Sequence, residues 1–267
     1  MDSSKKLNKE TIYSSVINEI FKKHYASGLE EFYFTRLELE EIGTKLGLEA
    51  KNLGDVIYAY RFRRALPQEI RDTEPEGLQW IIELSGRAIY KFRLGKINRI
   101  IPSASLTQIK IPDSTPEIIS RYSSGDEQAL LTKIRYNRLI DIFLGITAYS
   151  LQNHLRTAVK GIGQIEIDEI YVGINSHGSQ FIIPVQAKSG NDQIGIVQTK
   201  QDIAYCDKKF PNLICRTISA QFMNNNLIAM FELTLEDGEV RVVQEKHYKL
   251  VPADQVSEAD LQKYKNY

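Results

Sequence analysis

The sequence predicts an α/β (α+β) protein with two units: an N-terminal group of helices closed by a β-hairpin, and a C-terminal mixed β-sheet flanked by helices. Three observations predict this class. Apolar residues recur at helical spacing near the N-terminus, β-branched and aromatic runs of strand length follow in the second half, and the proline-containing stretch "IPSASLTQIKIPDSTPE" separates the two. We therefore expect a first domain over 1–100, a connector over 101–125, a second domain over 126–255 and a tail over 256–267.

Composition limits the classes of function. The 267 residues include 34 basic and 34 acidic side chains, and 42% of the chain is hydrophobic. That hydrophobic content can form substantial cores, whereas the balanced charge excludes a general basic coat for nucleic acid, so any DNA contact must be local. Cys206 and Cys215 have no neighbouring Cys or His pair at zinc spacing, and no apolar run approaches membrane length. These features predict a cytoplasmic protein with reduced thiols and no membrane contact.

The first unit is predicted to contain three helices and a hairpin. Apolar residues from Ile12 to Phe21 recur at helical spacing, and two shorter helical segments follow on either side of Gly47. The strand-like runs "LQWIIEL" and "AIYKFRL" then flank a tight turn. Helices joined by a glycine turn and followed by a hairpin resemble a winged helix, a common DNA-reading module.

Arginines of this unit are the candidate DNA contacts. Three of them crowd the end of the second short helix and one lies in the hairpin turn: Arg61, Arg63, Arg64 and Arg87. The alternative is that these are solvated charges on a protein-docking module, since winged helices serve both purposes.

The second unit begins with a region predicted to form one or two helices, over residues 126–163. His154 and Arg156 fall within it and are candidates for contact with phosphate, although a lone histidine is more often an ordinary polar residue. Two strands follow, "IEIDEIYVGI" and "QFIIPVQAK", joined by the loop "NSHGS", whose Asn, Gly and Ser residues are typical of a hairpin.

The predicted hairpin groups charged and polar side chains. If Ile174 pairs with Gln180, Asp168 lies opposite Gln186 and Glu166 opposite Lys188, and all four project from one face. A carboxylate pair that binds Mg²⁺ beside a lysine ammonium can hold a phosphodiester, activate water and stabilise charge that develops on phosphate. The alternative is a cross-strand salt bridge of little energetic consequence.

This hairpin resembles the active site of the PD-(D/E)XK nuclease superfamily. An acid on one strand, a loop, and a second strand ending in "QAK" (186–188) are similar to its Mrr-like branch, in which glutamine replaces the second acid. Gln201 and Tyr205 reproduce a Q-x-x-x-Y spacing found on a helix beside the active site of some of these nucleases, and the spacing puts both on one helical face.

The resemblance implies roles for individual residues. Asp168 would be the main ligand of Mg²⁺ (or Mn²⁺), Gln186 a weaker ligand through its carbonyl oxygen, Ala187 a ligand through its backbone carbonyl, and Lys188 the group that engages water or the scissile phosphate. The chain departs from the family because no proline precedes the acid and because glutamine brings no charge to the metal.

A second carboxylate is therefore expected. Glu166 is the first choice by its parity with Asp168, while Glu169 points to the other face and could serve only through a bulge. Glu127 and Asp141, in the preceding helical region, are more distant candidates.

Together the two units predict a sequence-specific endonuclease, with a type II restriction enzyme as the particular expectation. Its partner would be double-stranded DNA, a homodimer would provide two active sites for two strands, and a cognate DNA methyltransferase would accompany it. Two alternatives stay open: a DNA-binding transcriptional regulator with a noncatalytic second domain, and a nuclease of repair or of modified DNA.

Overall fold

In a computed structural model, the chain is described over residues 3–49, 52–96, 99–123, 127–159, 163–190, 192–223 and 226–265. It divides into two compact units. The first contains Met1–Ile100 with the short segments Ala158–Gln164 and Gly195–Gln198, and the second contains the remaining residues. No helix in the described ranges is both long enough and apolar enough to cross a bilayer.

The first unit has the predicted three helices and hairpin, with a short fourth helix and two further strands in addition. Its elements are α1 (Ser3–His24), β1 (Glu31–Thr35), α2 (Arg36–Lys45), α3 (Leu53–Tyr58) continuing into a π-helical turn (Ala59–Arg63), α4 (Gln68–Arg71), β2 (Gln79–Gly86), β3 (Ile89–Gly95) and β4 (Arg99–Ile100). In the described residues, β1, β3 and β2 form an antiparallel sheet in that order.

Local sequence explains why these helices begin and turn where they do. Thr35 caps α2 in a reciprocal capping box with Glu38, which satisfies backbone donors at the start of the helix. Gly47 has a φ of +78°, a left-handed conformation that glycine adopts without steric cost. The buried faces of α1, α2 and α3 pack with the sheet around Trp80 and Phe92 in one hydrophobic core.

The second unit is built on a large mixed sheet. Its elements are β5 (Gln108–Pro112), α5 (Glu117–Tyr122), α6 (Glu127–Tyr136), α7 (Leu139–Leu144), β6 (Thr147–Val159), β7 (Gly163–Ile174), β8 (Gln180–Lys188), β9 (Ile194–Gly195), α8 (Ile196–Lys209), β10 (Ile214–Cys215), β11 (Thr217–Met223), β12 (Leu227–Glu236), β13 (Glu239–Val251), a 3₁₀ turn (Ala253–Gln255) and α9 (Glu258–Tyr264). In the described residues the sheet has eight strands, in the order β5-β13-β12-β11-β8-β7-β6, with β10 paired to β8.

The central hairpin has the predicted register. The β7–β8 ladder pairs Ile174 with Gln180 and continues without a shift to Glu169 and Val185. Strand β8 pairs with β11 in parallel over Val185 to Lys188. The side chains of Val185 and Ala187 enter the core under α6 and α7, and the opposite parity of Gln186 directs it to α8.

Three stretches differ from the sequence-based expectation. Residues 147–159 were predicted to be helical, and this was wrong: Gly145, with a φ of +66°, ends α7, and the chain continues as edge strand β6. The stretch 101–125, predicted as a connector, instead supplies β5 to the sheet in parallel with β13, followed by α5. In the predicted tail 256–267, α9 approaches β5, since the Tyr264 hydroxyl accepts the Lys110 N–H at 2.9 Å.

Candidate active site

The site lies where strands β7 and β8 continue beyond their paired segment. The described ladder ends at Glu169 and Val185, so the predicted pairs of Asp168 with Gln186 and of Glu166 with Lys188 lie just past it. Hydrogen bonds other than ladder bonds join the strands there: the Asp168 carboxylate accepts the Ala187 N–H at 2.8 Å, and the Glu166 carbonyl accepts from the Gln186 side chain at 2.9 Å. The expected grouping is present, with different contacts.

Asp168 is a half-buried carboxylate whose surroundings shift its pKa. Its burial raises the pKa of the carboxyl above the ordinary value, and the charge of Glu166 raises it further. The Lys188 ammonium and the Ala187 N–H act in the opposite direction and lower this pKa, but burial dominates. A cation bound at this carboxylate would remove the cost of its desolvation.

Gln186 is a buried polar side chain that hydrogen bonds hold in place. Only 2% of its surface is exposed. Its amide nitrogen donates to two oxygens, the Glu166 carbonyl and the carboxylate of Asp202, each at 2.9 Å. The amide oxygen is consequently the atom of this side chain with the chemistry of a metal ligand.

Lys188 ends strand β8 with its ammonium almost enclosed. The residue is 8% exposed, and its Nζ lies 3.8 Å from a carboxylate oxygen of Glu127, the first residue of α6. Glu127, predicted only as a distant candidate, is thus the acid that the structure places beside the lysine.

Glu166, predicted as the second metal-binding acid, is held by side chains of β6. Its carboxylate accepts two hydrogen bonds from Arg156, at 2.8 and 3.0 Å, and lies 3.8 Å from His154 Nε2. His154 and Arg156, the predicted phosphate contacts, therefore lie on a strand and not on a helix, with His154 at a φ of +51°. Both side chains are at least half exposed, so they stay accessible to a ligand.

Glu169 projects from the opposite face, as its parity predicted. It is fully buried and accepts from Arg135 at 3.0 Å and from the Ser150 hydroxyl at 2.7 Å. Asp141 accepts the Ala148 N–H and pairs with Arg138. These contacts give both acids structural roles away from Asp168.

Asp202 on α8 is the functional candidate that sequence reasoning missed. It is completely buried, bonds to Gln186, and its second oxygen, Oδ1, has no hydrogen-bond partner in the described structure. Burial holds the pKa of this carboxyl well above its usual value; the bond from Gln186 opposes that shift, and the charge of Asp168 adds to it. The sequence feature that could have identified Asp202 is its position directly after Gln201 in the Q-x-x-x-Y segment.

The two residues of that segment have different surroundings on α8. Gln201 is buried. Tyr205 is half-buried and packs edge-on against Phe210, and burial raises the pKa of its hydroxyl. The helix thus presents Gln201 and Asp202 to the interior at its middle turn.

The donor set allows a limited test for a metal. Among the described residues, no group of three or more His, Cys, Asp and Glu side chains is arranged to hold a metal ion. The oxygens that fit Mg²⁺ or Mn²⁺ are instead the carboxylate of Asp168, the amide oxygen of Gln186 and a backbone carbonyl such as that of Ala187. Such a site carries one formal negative charge, that of Asp168.

The arginines of the first unit divide into buried and exposed groups. Arg61 is 9% exposed and lies over the Phe62 ring at 4.7 Å, and burial lowers its pKa to about 10. This burial makes Arg61 the least accessible of the four arginines predicted to contact DNA. Arg64 is half-buried, whereas Arg63, over the Tyr58 ring at 5.2 Å, and Arg87, in the hairpin turn, are exposed.

Comparisons with known proteins leave the family of this chain undefined. No protein-family profile matches it, and no solved structure matches it. One curated protein, an N-acetyl-D-glucosamine kinase of Erwinia tasmaniensis, is 39% identical over 72 residues, which is 27% of this chain and 23% of the kinase. The chain therefore matches less than a quarter of the length of that relative.

Proposed function

We propose that this protein is a site-specific DNA endonuclease that requires Mg²⁺ or Mn²⁺, of the type II restriction class. The observation that carries the proposal is the convergence of Asp168, Gln186 and Lys188 at one position of a β-hairpin. Asp168 is desolvated and lies within the electrostatic influence of an almost enclosed lysine. Burial of the Asp168 carboxylate lowers the stability of the fold, and a carboxylate with a raised pKa beside a buried lysine is typical of a functional site.

The order of elements around the site supports the same proposal. An acid-bearing strand, a short loop, a strand ending in "QAK", a helix and a further strand follow one another, as the resemblance to PD-(D/E)XK nucleases implies. The later strand β11 lies beside β8 in parallel, so the lysine-bearing strand is central in the sheet. A central strand is a rigid support for groups that must be positioned accurately.

The proposed chemistry follows from the residues present. A divalent ion held by Asp168 and Gln186 would supply an activated water and neutralise charge on the phosphate. Lys188 would donate to the phosphate oxygens or orient the water, since its ammonium is a fixed positive charge in a site with little solvent. Ala187 holds Asp168 through its N–H and so fixes the carboxylate for this role.

The first unit is proposed to read DNA. Its order of helix, strand, three helices and hairpin supports a winged-helix-like module. The exposed arginines Arg63 and Arg87 are suited to phosphate or base contacts. Because a double-strand break needs two cuts, we propose that the protein acts as a homodimer on double-stranded DNA, paired with a methyltransferase that protects the host sites.

The test is cleavage of mixed-sequence plasmid and phage DNA, methylated and unmethylated, with Mg²⁺. Discrete fragments are expected from the native protein and from Asp207→Ala and Lys208→Ala, which remove exposed charges on α8. No cleavage is expected from Asp168→Ala or Lys188→Ala. Intact DNA in every lane would overturn the nuclease proposal. Sequence-specific DNA binding that Lys188→Ala leaves unchanged would then favour a transcriptional regulator, and cutting of methylated DNA alone would indicate a modification-dependent nuclease.

A further inference from the structure

The side-chain amide of Gln186 is enclosed by acceptors on its nitrogen side. Nε2 donates to the Glu166 carbonyl on β7 and to Asp202 Oδ2 on α8, both at 2.9 Å. Two different elements of the second unit thus bond to one amide group. Because Gln186 and Asp202 are both buried, water cannot readily replace either bond.

This environment allows one orientation of the amide. The nitrogen and oxygen of a glutamine side chain have similar size, and their hydrogen-bond partners decide which way the group faces. If the amide of Gln186 rotated by half a turn, its oxygen would face the Glu166 carbonyl oxygen, which can only accept, and that favourable contact would become repulsive. The oxygen is therefore directed away from both acceptors.

We propose that Asp202 is a positioning residue that, together with the Glu166 carbonyl, locks the Gln186 amide with its oxygen presented as a ligand. The role of the amide oxygen as a metal ligand rests on the proposed nuclease function. The existence of the lock itself rests only on the observed contacts.

A glutamate at position 186 would not fit these surroundings. One of its carboxylate oxygens would meet the Glu166 carbonyl oxygen with no hydrogen between them. Asp202 thus acts on the site through Gln186 and does not itself touch a substrate.

Side-chain NMR of protein labelled with ¹⁵N-glutamine tests the lock without any cleavage. The Gln186 NH₂ signal, identified by its loss in Gln186→Glu, should be shifted and slow to exchange with water in the native protein. Asp202→Asn retains an acceptor oxygen and should keep this signal, whereas Asp202→Leu removes the acceptor and should restore the shift and exchange of an ordinary amide. Added Mn²⁺ should broaden the signal in the native protein and in Asp202→Asn.

Cleavage and melting temperature give the complementary comparison. We expect Asp202→Asn to cut within about threefold of the native rate, and Gln186→Glu to fall by about 100-fold, the loss of two bonds to a buried group. The double variant Gln186→Glu/Asp202→Asn should recover at least about tenfold over Gln186→Glu, because the asparagine amide introduced at position 202 can donate to the carboxylate introduced at position 186. The melting temperature of the double variant should also exceed that of Gln186→Glu.

The outcomes separate the two proposals. If the NMR signal shows a locked amide but the protein cuts no DNA, the proposed lock stands and the proposed nuclease function is overturned. A Gln186 signal that is the same in Asp202→Leu as in the native protein overturns the lock, whatever the cleavage result. If Asp202→Leu does not fold, the double variant decides: a melting temperature no higher than that of Gln186→Glu overturns the proposal.

Discussion

The adjacent acids Asp168 and Glu169 lie on opposite faces of strand β7 and have opposite electrostatic surroundings. Glu169 is fully buried, and it accepts hydrogen bonds from Ser150 and from Arg135, whose positive charge balances its own. Asp168 is half-buried and accepts a backbone N–H, and burial outweighs the nearby Lys188 so that its pKa is raised. The comparison teaches that the Glu169 face is built for stability, whereas the Asp168 face retains an electrostatic cost that a bound cation would relieve.

The largest expected effect is the loss of cleavage in Asp168→Asn. The asparagine oxygen can still accept the Ala187 N–H, so the fold is preserved, but the charge that would hold a metal is gone. We expect cleavage to fall by about 10³-fold, equivalent to about 4 kcal/mol of transition-state stabilisation. Single-turnover cleavage measures this, with circular dichroism as the control for folding. A loss below about tenfold would show that Asp168 is not the principal ligand.

The same substitution should change how stability depends on pH. The folded-state pKa of Asp168 lies above the ordinary 3.8, so well below pH 3.8 the group is protonated in both the folded and the unfolded state and carries no electrostatic penalty. As the pH rises from there towards the folded-state pKa, the folded protein binds more protons than the unfolded chain, and stability declines. Asp168→Asn cannot titrate, so its advantage over the native protein should grow across this window. Urea unfolding from pH 4 to pH 8 measures the difference, and parallel curves would refute it.

On the other face, Glu169→Ala should reduce stability and leave the chemistry intact. The change removes the acid that balances Arg135 in the interior, and breaking a buried ion pair costs about 3–5 kcal/mol. Because 41% of the Arg135 side chain is exposed and can be hydrated, we expect the lower end, about 3 kcal/mol.

Two measurements check this expectation. Urea unfolding gives the loss of free energy, and cleavage per folded molecule should stay within about threefold of the native value. Strong loss of cleavage with unchanged stability would reverse the assignment of the two faces.

The hairpin was predictable from sequence because its determinants are local. The loop of Asn, Gly and Ser residues fixes which residues pair, and strand alternation then puts Asp168 and Glu169 on opposite faces. The parity argument therefore gave the correct separation of these two acids.

The remaining parts of the site depend on contacts between residues distant in sequence. Strand β6 is exposed on both sides over much of its length, so it lacks the alternation that would have distinguished it from a helix. Strand β5 pairs with β13 across more than a hundred residues, and no local pattern encodes that contact. Asp202 meets Gln186 only because α8 packs on the sheet, so its role could not be deduced from the hairpin alone.

A smaller loss of stability is expected from Ser150→Ala. Its hydroxyl donates to Glu169 at 2.7 Å, and a hydrogen bond to a charged group contributes about 1.5–3 kcal/mol. Since Arg135 still pairs with the carboxylate, we expect a loss of about 1.5 kcal/mol in urea unfolding. Ser150→Thr keeps the hydroxyl and is the matched control. Equal stability of Ser150→Ala and the native protein would mean that Arg135 alone satisfies the acid.

The smallest effect is expected from Glu166→Gln, on the same face as Asp168. Glu166 is engaged by two hydrogen bonds from Arg156, so it is poorly placed to supply charge to a metal that Asp168 holds. We expect cleavage to fall by less than about tenfold, equivalent to about 1.4 kcal/mol, and the Mg²⁺ concentration for half-maximal rate to rise only slightly. Arg156→Ala is the matched variant, because it releases the carboxylate while keeping it charged. A loss in Glu166→Gln as large as that in Asp168→Asn would mean that Glu166 leaves Arg156 and becomes the second metal-binding acid when DNA and metal bind.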